Sequence, residues 1–202
     1  SESKWVPAYV STTLMWGLSF YFIMVGLQSL TPNQVAAGRV TIGALTLWLL
    51  ILVLKLKMPK PAKYFGHFFV MGLLNNSLPG LFFAYAETSV SSIVASIMNA
   101  TVPLLGLLAT VFIFREARPK FNQQIGLLIG LAGVAVVLGI WQGTGANDPT
   151  GILYCLAAVS LYGISFPYMR RFIIPIGLHP ILGAALQLTF GTIQVLPFAL
   201  FE

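Results

Sequence analysis

Apolar residues fill this sequence in long, nearly unbroken blocks instead of recurring at the spacing of a soluble amphipathic helix. A helix needs about 20 apolar residues to cross a bilayer core. Seven stretches meet that length: roughly 6–28, 32–54, 64–86, 90–114, 121–141, 151–169 and 179–201. They predict an all-α polytopic membrane protein with seven transmembrane helices. The connections are short. Thr31 can cap the second helix, with Pro32 in its first turn. QGTGANDPT at 142–150 is the clearest loop signal.

Polar side chains break the pattern in one place. Between Gly72 and Pro103, inside the third and fourth apolar blocks, stand Asn75, Asn76, Ser77, Ser92, Ser96 and Asn99. Ser92, Ser96, Asn99 and Pro103 follow one another at intervals of 4, 3 and 4, so a helix places them in one stripe. Lipid cannot hydrogen-bond such a stripe, which must face other helices or a wet cavity.

Composition sharpens the class. Of 202 residues, 57% are hydrophobic and 8% charged, against about 25% charged in soluble domains. A single cysteine, Cys155, allows no internal disulfide and reads as a small packing residue. The first apolar run is too long for a cleavable signal, and no small-residue cleavage site follows it.

The net charge of +6 matters through its placement. Lys4 precedes the first span; Lys55, Lys57, Lys60 and Lys63 separate the second and third. Arg115, Arg118 and Lys120 separate the fourth and fifth, and Arg170 and Arg171 follow the sixth. If every span crosses, all these ends share one side, while the opposite loops hold Glu87 and Asp148 but no Lys or Arg. The positive-inside rule then predicts a cytoplasmic N-terminus and an external Glu202. Bases scattered over short loops suit anionic lipid headgroups and form no nucleic-acid-binding pattern. Arg39 stands apart, about seven residues inside the second span. Snorkelling to the outer interface and a buried structural or solute-facing role are both open to it.

Two blocks recur in order. Trp16-Gly17-Leu18-Ser19-Phe20 in the first span matches Tyr162-Gly163-Ile164-Ser165-Phe166 in the sixth. Pro32, Arg39, Thr41 and Gly43 in the second match Pro180, Gln187, Thr189 and Gly191 in the seventh, with identical spacing. The offset of 146 to 148 residues makes the unit five helices long. Five is odd, so the second copy runs through the membrane in the opposite sense, as in the inverted repeats of secondary transporters. Residues 1–145 are thus expected to be a first five-helix repeat, and 146–202 the first two helices of a second, inverted one. A complete second copy would add three helices, making ten.

Trp16-Gly17-x-Ser19-Phe20 followed by Pro32 and Arg39 resembles the opening of EamA-type members of the drug/metabolite transporter superfamily. So does the later run through Ser92, Ala95, Pro103 and Glu116, then Gly126, Gly130, Gly133 and Val134. The resemblance covers all seven spans. It implies a ten-helix, five-plus-five inverted fold whose central cavity is lined partly by the first, third, fourth and sixth helices. Among subfamilies the chain looks most similar to exporters of aromatic amino acids and related metabolites. It departs from the family in lacking the last three helices.

The residues read as substrate-binding are Trp16, Asn75, Asn76, Tyr85, Ser96, Asn99 and Tyr162, with Pro79 and Pro103 as hinges, since a proline removes a backbone donor and frees a carbonyl. Each has a plainer alternative. The asparagines can bond between helices, Tyr85 can anchor at the interface, and Trp16 and Tyr162 can pack in the core. Ser89, Ser92 and Ser96 can bond their own helix carbonyls. Gly126, Gly130 and Gly133 are expected to form a close-packing face. Glu116 reads as a local ion pair or loop anchor, and His67 and His179 lack metal-ligand spacing.

No Asp or Glu lies deep in a span, so no intramembrane proton relay is visible, which makes facilitated diffusion or exchange plausible. No nucleophile–His–acid set, carboxylate dyad, phosphate loop or zinc motif supports an enzyme, a metal or a cofactor. The expected function is a carrier, most simply an exporter, of small metabolites such as amino acids, working by alternating access in the inner membrane. Its partners are the solute, the bilayer and any missing C-terminal helices or second chain. A seven-helix receptor or sensor, a membrane-embedded enzyme and a non-catalytic assembly subunit are the rivals.

Overall fold

A chain segment in hydrocarbon must close its backbone hydrogen bonds within itself. The computed structural model, which describes residues 5–56, 64–115, 120–138 and 148–201, is accordingly helical, with no strand among those residues. Its helices are α1 (Trp5–Gly26), α2 (Pro32–Val53), α3 (Phe65–Gly72), α4 (Leu78–Ala86), α5 (Ser92–Asn99), α6 (Val102–Phe112), α7 (Phe121–Leu138), α8 (Pro149–Tyr168) and α9 (Pro180–Leu200). Among the described residues, six continuous or broken helical stretches are long and apolar enough to cross a membrane: Val6–Gly26, Pro32–Val53, Phe65–Ala86, Ser92–Phe112, Pro149–Ile176 and Pro180–Leu200. The chain is thus a multi-pass membrane protein. The fifth expected span is the site of α7, whose expected end at 139–141 lies outside the described residues, as do Lys4, Lys57, Lys60, Lys63, Glu116, Arg118 and most of the 142–150 loop.

Local chemistry sets the helix ends. The Thr31 hydroxyl accepts from the Gln34 amide while the Gln34 side chain accepts from the Thr31 amide, a capping box ahead of Pro32. Asp148 accepts from Thr150 N–H at 2.8 Å to start α8.

Two expected spans are interrupted. The third passes through a π-helical turn at Leu73–Ser77 between α3 and α4. Pro79, in the first turn of α4, has no N–H to offer the Asn75 carbonyl four residues earlier, and a wider turn makes room for its ring. The fourth breaks at Ala100 and Thr101, ahead of Pro103. Here the Asn99 carbonyl loses its i→i−4 donor, and the Thr101 hydroxyl donates to Met98 O at 2.6 Å.

The helices alternate in direction. At one end of the bundle, Arg171 Nη1 donates to Phe114 O at 3.5 Å and Tyr168 OH lies 2.8 Å from His67 Nδ1. The end of α8 thus meets the end of α6 and the start of α3. Near the other end, Tyr85 OH donates to Asn33 Oδ1 at 3.1 Å. The core between holds Phe20, Ile23, Phe83, Val159 and Tyr162, with Cys155 buried among them. Outward face Ile42, Leu45, Leu49 and Leu52 of α2, an apolar stripe at helical spacing.

Close helix crossings use glycine. A Cβ on Gly72 of α3 would stand 2.9 Å from the Gly191 nitrogen of α9, and one on Gly163 of α8 would stand 2.7 Å from Leu105 Cβ of α6. The expected close-packing face of α7 is not formed among the described residues: no atom of another element among them lies within 4 Å of a Cβ built on Gly126, Gly130 or Gly133. Among the described residues α7 touches α5 and α6 most, and a gap of about 350 Å³ beside that contact is bounded by Pro103, Leu107, Gly126 and Gly130.

Candidate solute site

The interruptions in spans three and four lie where α1, α8 and these spans converge. Asn75 in the π turn and Asn99 at the end of α5 border the same cavity, of about 600 Å³, together with Trp16 of α1, Pro103 of α6, and Tyr162 and Phe166 of α8. Trp16 and Tyr162, at matching positions of the two sequence blocks, meet edge to face with ring centroids 6.0 Å apart. Tyr162 in turn lies over Phe83 at 6.1 Å. Tyr9, Thr12 and Thr13 complete the α1 wall. The two threonine hydroxyls bond back to Ala8 O and Tyr9 O at 2.8 and 2.9 Å.

Asn75 and Tyr162 also border a second, smaller cavity, of about 140 Å³, with Arg39, Asn76 and Gly80. The larger space is walled mainly by rings and aliphatic groups, the smaller one by two amides and a guanidinium together with Ala36, Val40 and Leu188. Asn75 Oδ1 accepts from Ser165 Oγ at 3.0 Å, which fixes its side chain between α8 and the π turn. Among the described residues, two buried amide atoms lack a hydrogen-bond partner: Asn76 Nδ2 and Asn99 Oδ1. Buried polar groups are normally paired; both residues border cavities, but these two atoms are themselves sealed from solvent, so a polar solute would meet them only once the amide turned.

Arg39 Nη2 donates to Ser19 Oγ at 2.6 Å, tying α2 to α1. Glu87, just past α4, accepts from Ser92 Oγ at 2.5 Å, and its other oxygen has no partner. Burial pushes its carboxyl from the ordinary 4.5 up to about 7, against the opposing effects of the Ser92 hydrogen bond and the Arg39 charge.

The remaining residues read as site groups lie elsewhere. Tyr85 binds Asn33 and packs on Tyr154 with ring centroids 5.7 Å apart, joining α4 to α2 and α8. Ser96 donates to Ser92 O within its own helix at 2.7 Å, the bond available to any serine one turn on. Ser77 is 2% exposed and lies between the Gly72 carbonyl at 3.0 Å and the Gln194 side chain. Sequence reasoning did not assign Thr12, Thr13 or Phe166 to the site, though Thr12 and Thr13 precede Trp16 by one turn and so share its face. No group of three metal-ligating side chains occurs among the described residues.

The EamA-like transporter family model matches residues 3–139. The chain belongs to that family. EamA-like proteins form a transporter family, in keeping with a carrier and not with an enzyme. The uncharacterized transporter YdfC of Bacillus subtilis is 28% identical over 200 residues, covering 98% of this chain and 64% of its own length. The uncharacterized inner membrane transporter YedA of Escherichia coli K12 is 25% identical over 184 residues, 91% of this chain and 58% of its own. An uncharacterized transporter of Archaeoglobus fulgidus is 29% identical over 136 residues, 66% of this chain and 47% of its own. The chain therefore spans about half to two thirds of the curated relatives it matches. No solved structure matches it.

Proposed function

We propose that this protein carries small metabolites such as amino acids out across the inner membrane by alternating access, with its N-terminus in the cytoplasm. One observation bears most of the weight. Asn75, Asn99, Trp16 and Tyr162 come from different helical stretches and border one open-sided cavity of about 600 Å³, with Trp16 and Phe166 about half exposed at its wall. That volume suits an amino acid or a metabolite of similar size. The Trp16–Tyr162 contact between matching positions of the two sequence blocks supports an inverted five-plus-five repeat, with the solute held where its halves meet. The proline-marked breaks at Pro79 and Pro103 are the hinges of this reading, because each withholds a helical hydrogen bond from an asparagine carbonyl at the cavity.

Flux of radiolabelled amino acids across proteoliposomes tests the proposal. Asn99→Ala and Trp16→Ala are expected to lower flux at least tenfold while the protein still inserts and purifies normally. Tyr85→Phe and Ser96→Ala, away from both cavities, are expected to change it far less. Flux unchanged in every cavity variant removes the site assignment.

A further inference from the structure

The smaller cavity has a feature that a neutral solute path does not require. Arg39 lies seven residues into α2, or about 10 Å along a helix of 1.5 Å rise, its side chain partly buried against the cavity and partly exposed, at a depth where a charge that finds neither water nor a partner costs a few kcal/mol. Its visible partner is a neutral hydroxyl, Ser19. Glu87 feels its charge but hydrogen-bonds Ser92 through one oxygen and leaves the other unpartnered. A guanidinium carries five N–H donors in a fork that fits a carboxylate, and Asn76, whose buried Nδ2 has no partner, borders the same space. A cation and the residue that carries an orphaned donor thus border one cavity, while Asn99, with its orphaned acceptor Oδ1, borders the larger one.

The repeat sharpens the point. Gln187 of α9 matches Arg39 in the second sequence block and is buried, with an uncharged amide. The guanidinium is therefore peculiar to one copy, as expected if it serves an oriented ligand rather than the scaffold the copies share.

We infer that Arg39 and Asn76 form a carboxylate subsite, and that the solute lies with its acid group in the small cavity and its apolar body against Trp16, Tyr162 and Phe166. Asn75 and Tyr162, which border both cavities, mark the passage between the two ends. The inference rests on the transport reading and adds a substrate class to it: monocarboxylates with an apolar, preferably aromatic, body.

The test uses sodium 3-phenylpropanoate, its uncharged analogue 3-phenylpropan-1-ol, and sodium chloride at matched ionic strength, read by the thermal midpoint of the purified protein. The carboxylate is expected to raise the midpoint by several degrees, and the alcohol and chloride to leave it unmoved. Arg39→Gln is expected to abolish the shift, Arg39→Lys to keep part of it, Asn76→Ala to reduce it, and Arg171→Gln to preserve it. No shift in the parent, or one that survives both Arg39→Gln and Asn76→Ala, overturns the inference. Should Arg39→Gln not fold, Asn76→Ala and the carboxylate-to-alcohol comparison decide. Repeating the series with and without phosphatidylglycerol separates a solute acid from a lipid headgroup. Stabilisation through Arg39 that follows the lipid and ignores phenylpropanoate also overturns it. Proteoliposome flux reads the underlying function separately: flux indifferent to the acid group defeats the subsite alone, whereas an Arg39-dependent shift with no flux of any amino acid defeats the transport reading.

Discussion

At the scale of single residues, similar polar side chains in similar surroundings have different tasks. Asn75 and Asn99 border the larger cavity and Asn76 the smaller, whereas Ser96 spends its hydroxyl on its own helix and Tyr85 reaches Asn33. The sequence stripe placed Ser96 and Asn99 on one face, which holds on a continuous helix. The break at Ala100 and Thr101 ends that face just beyond Asn99, and a serine one turn from a helical carbonyl needs no other partner. Arg39 was legible as an anomaly, but its neighbours were not, because Ser19, Asn76 and Glu87 come together only through packing. Glu87 carries a prediction of its own. Its folded-state value of about 7 exceeds the ordinary 4.5, so the folded protein favours the protonated acid. The stabilising contribution is full below pH 4.5 and is lost as pH rises through about 7. The thermal midpoint should therefore decline across that window in the parent, and Glu87→Gln should flatten the decline. A parallel profile in the variant would contradict this origin.

At the scale of elements, hydropathy located the spans because bilayer thickness fixes helix length. It could not show where a helix widens or breaks. Pro79 and Pro103 hinted at both places, yet whether a proline produces a π turn or a full break depends on the neighbouring helices. The glycines show the same limit. A stripe of three on α7 read as a packing face and is open on the described structure, while the isolated Gly163 lies at a tight crossing, with Leu105 of α6 2.7 Å from a Cβ built on it. Gly163→Ala is accordingly expected to destabilise the protein by about 1–3 kcal/mol through overpacking. Gly126→Ala should be neutral or slightly stabilising, since alanine is the better helix former. Thermal or denaturant unfolding of the two variants distinguishes them, and equal effects would mean that the α6–α8 crossing is looser than described.

At the scale of the whole molecule, two kinds of asymmetry orient the account. One is charge: Lys55, Arg115, Lys120, Arg170 and Arg171 flank alternate helix ends, the face that the proposed orientation puts in the cytoplasm by the positive-inside rule. An impermeant amine reagent is therefore expected to modify lysines in inside-out vesicles and to spare them in intact cells; strong labelling of intact cells would reverse the orientation. The other is polarity: an apolar exterior surrounds cavities bordered by amides, rings and one guanidinium. Class and most spans were legible because the solvent dictates them, and the family through its short motifs. The two-cavity arrangement was not, since it depends on α2, α8 and α9 packing around the π turn, with α1 across the larger cavity. The central claim, that the asparagine-bearing side faces water within the bundle, is tested most directly by cysteine accessibility in a Cys155→Ala background. Asn75→Cys and Asn99→Cys should react rapidly with a small hydrophilic thiol reagent, while Leu49→Cys, on the outward stripe of α2, should react slowly. Asparagine-position cysteines as inert as the one at Leu49 would contradict it.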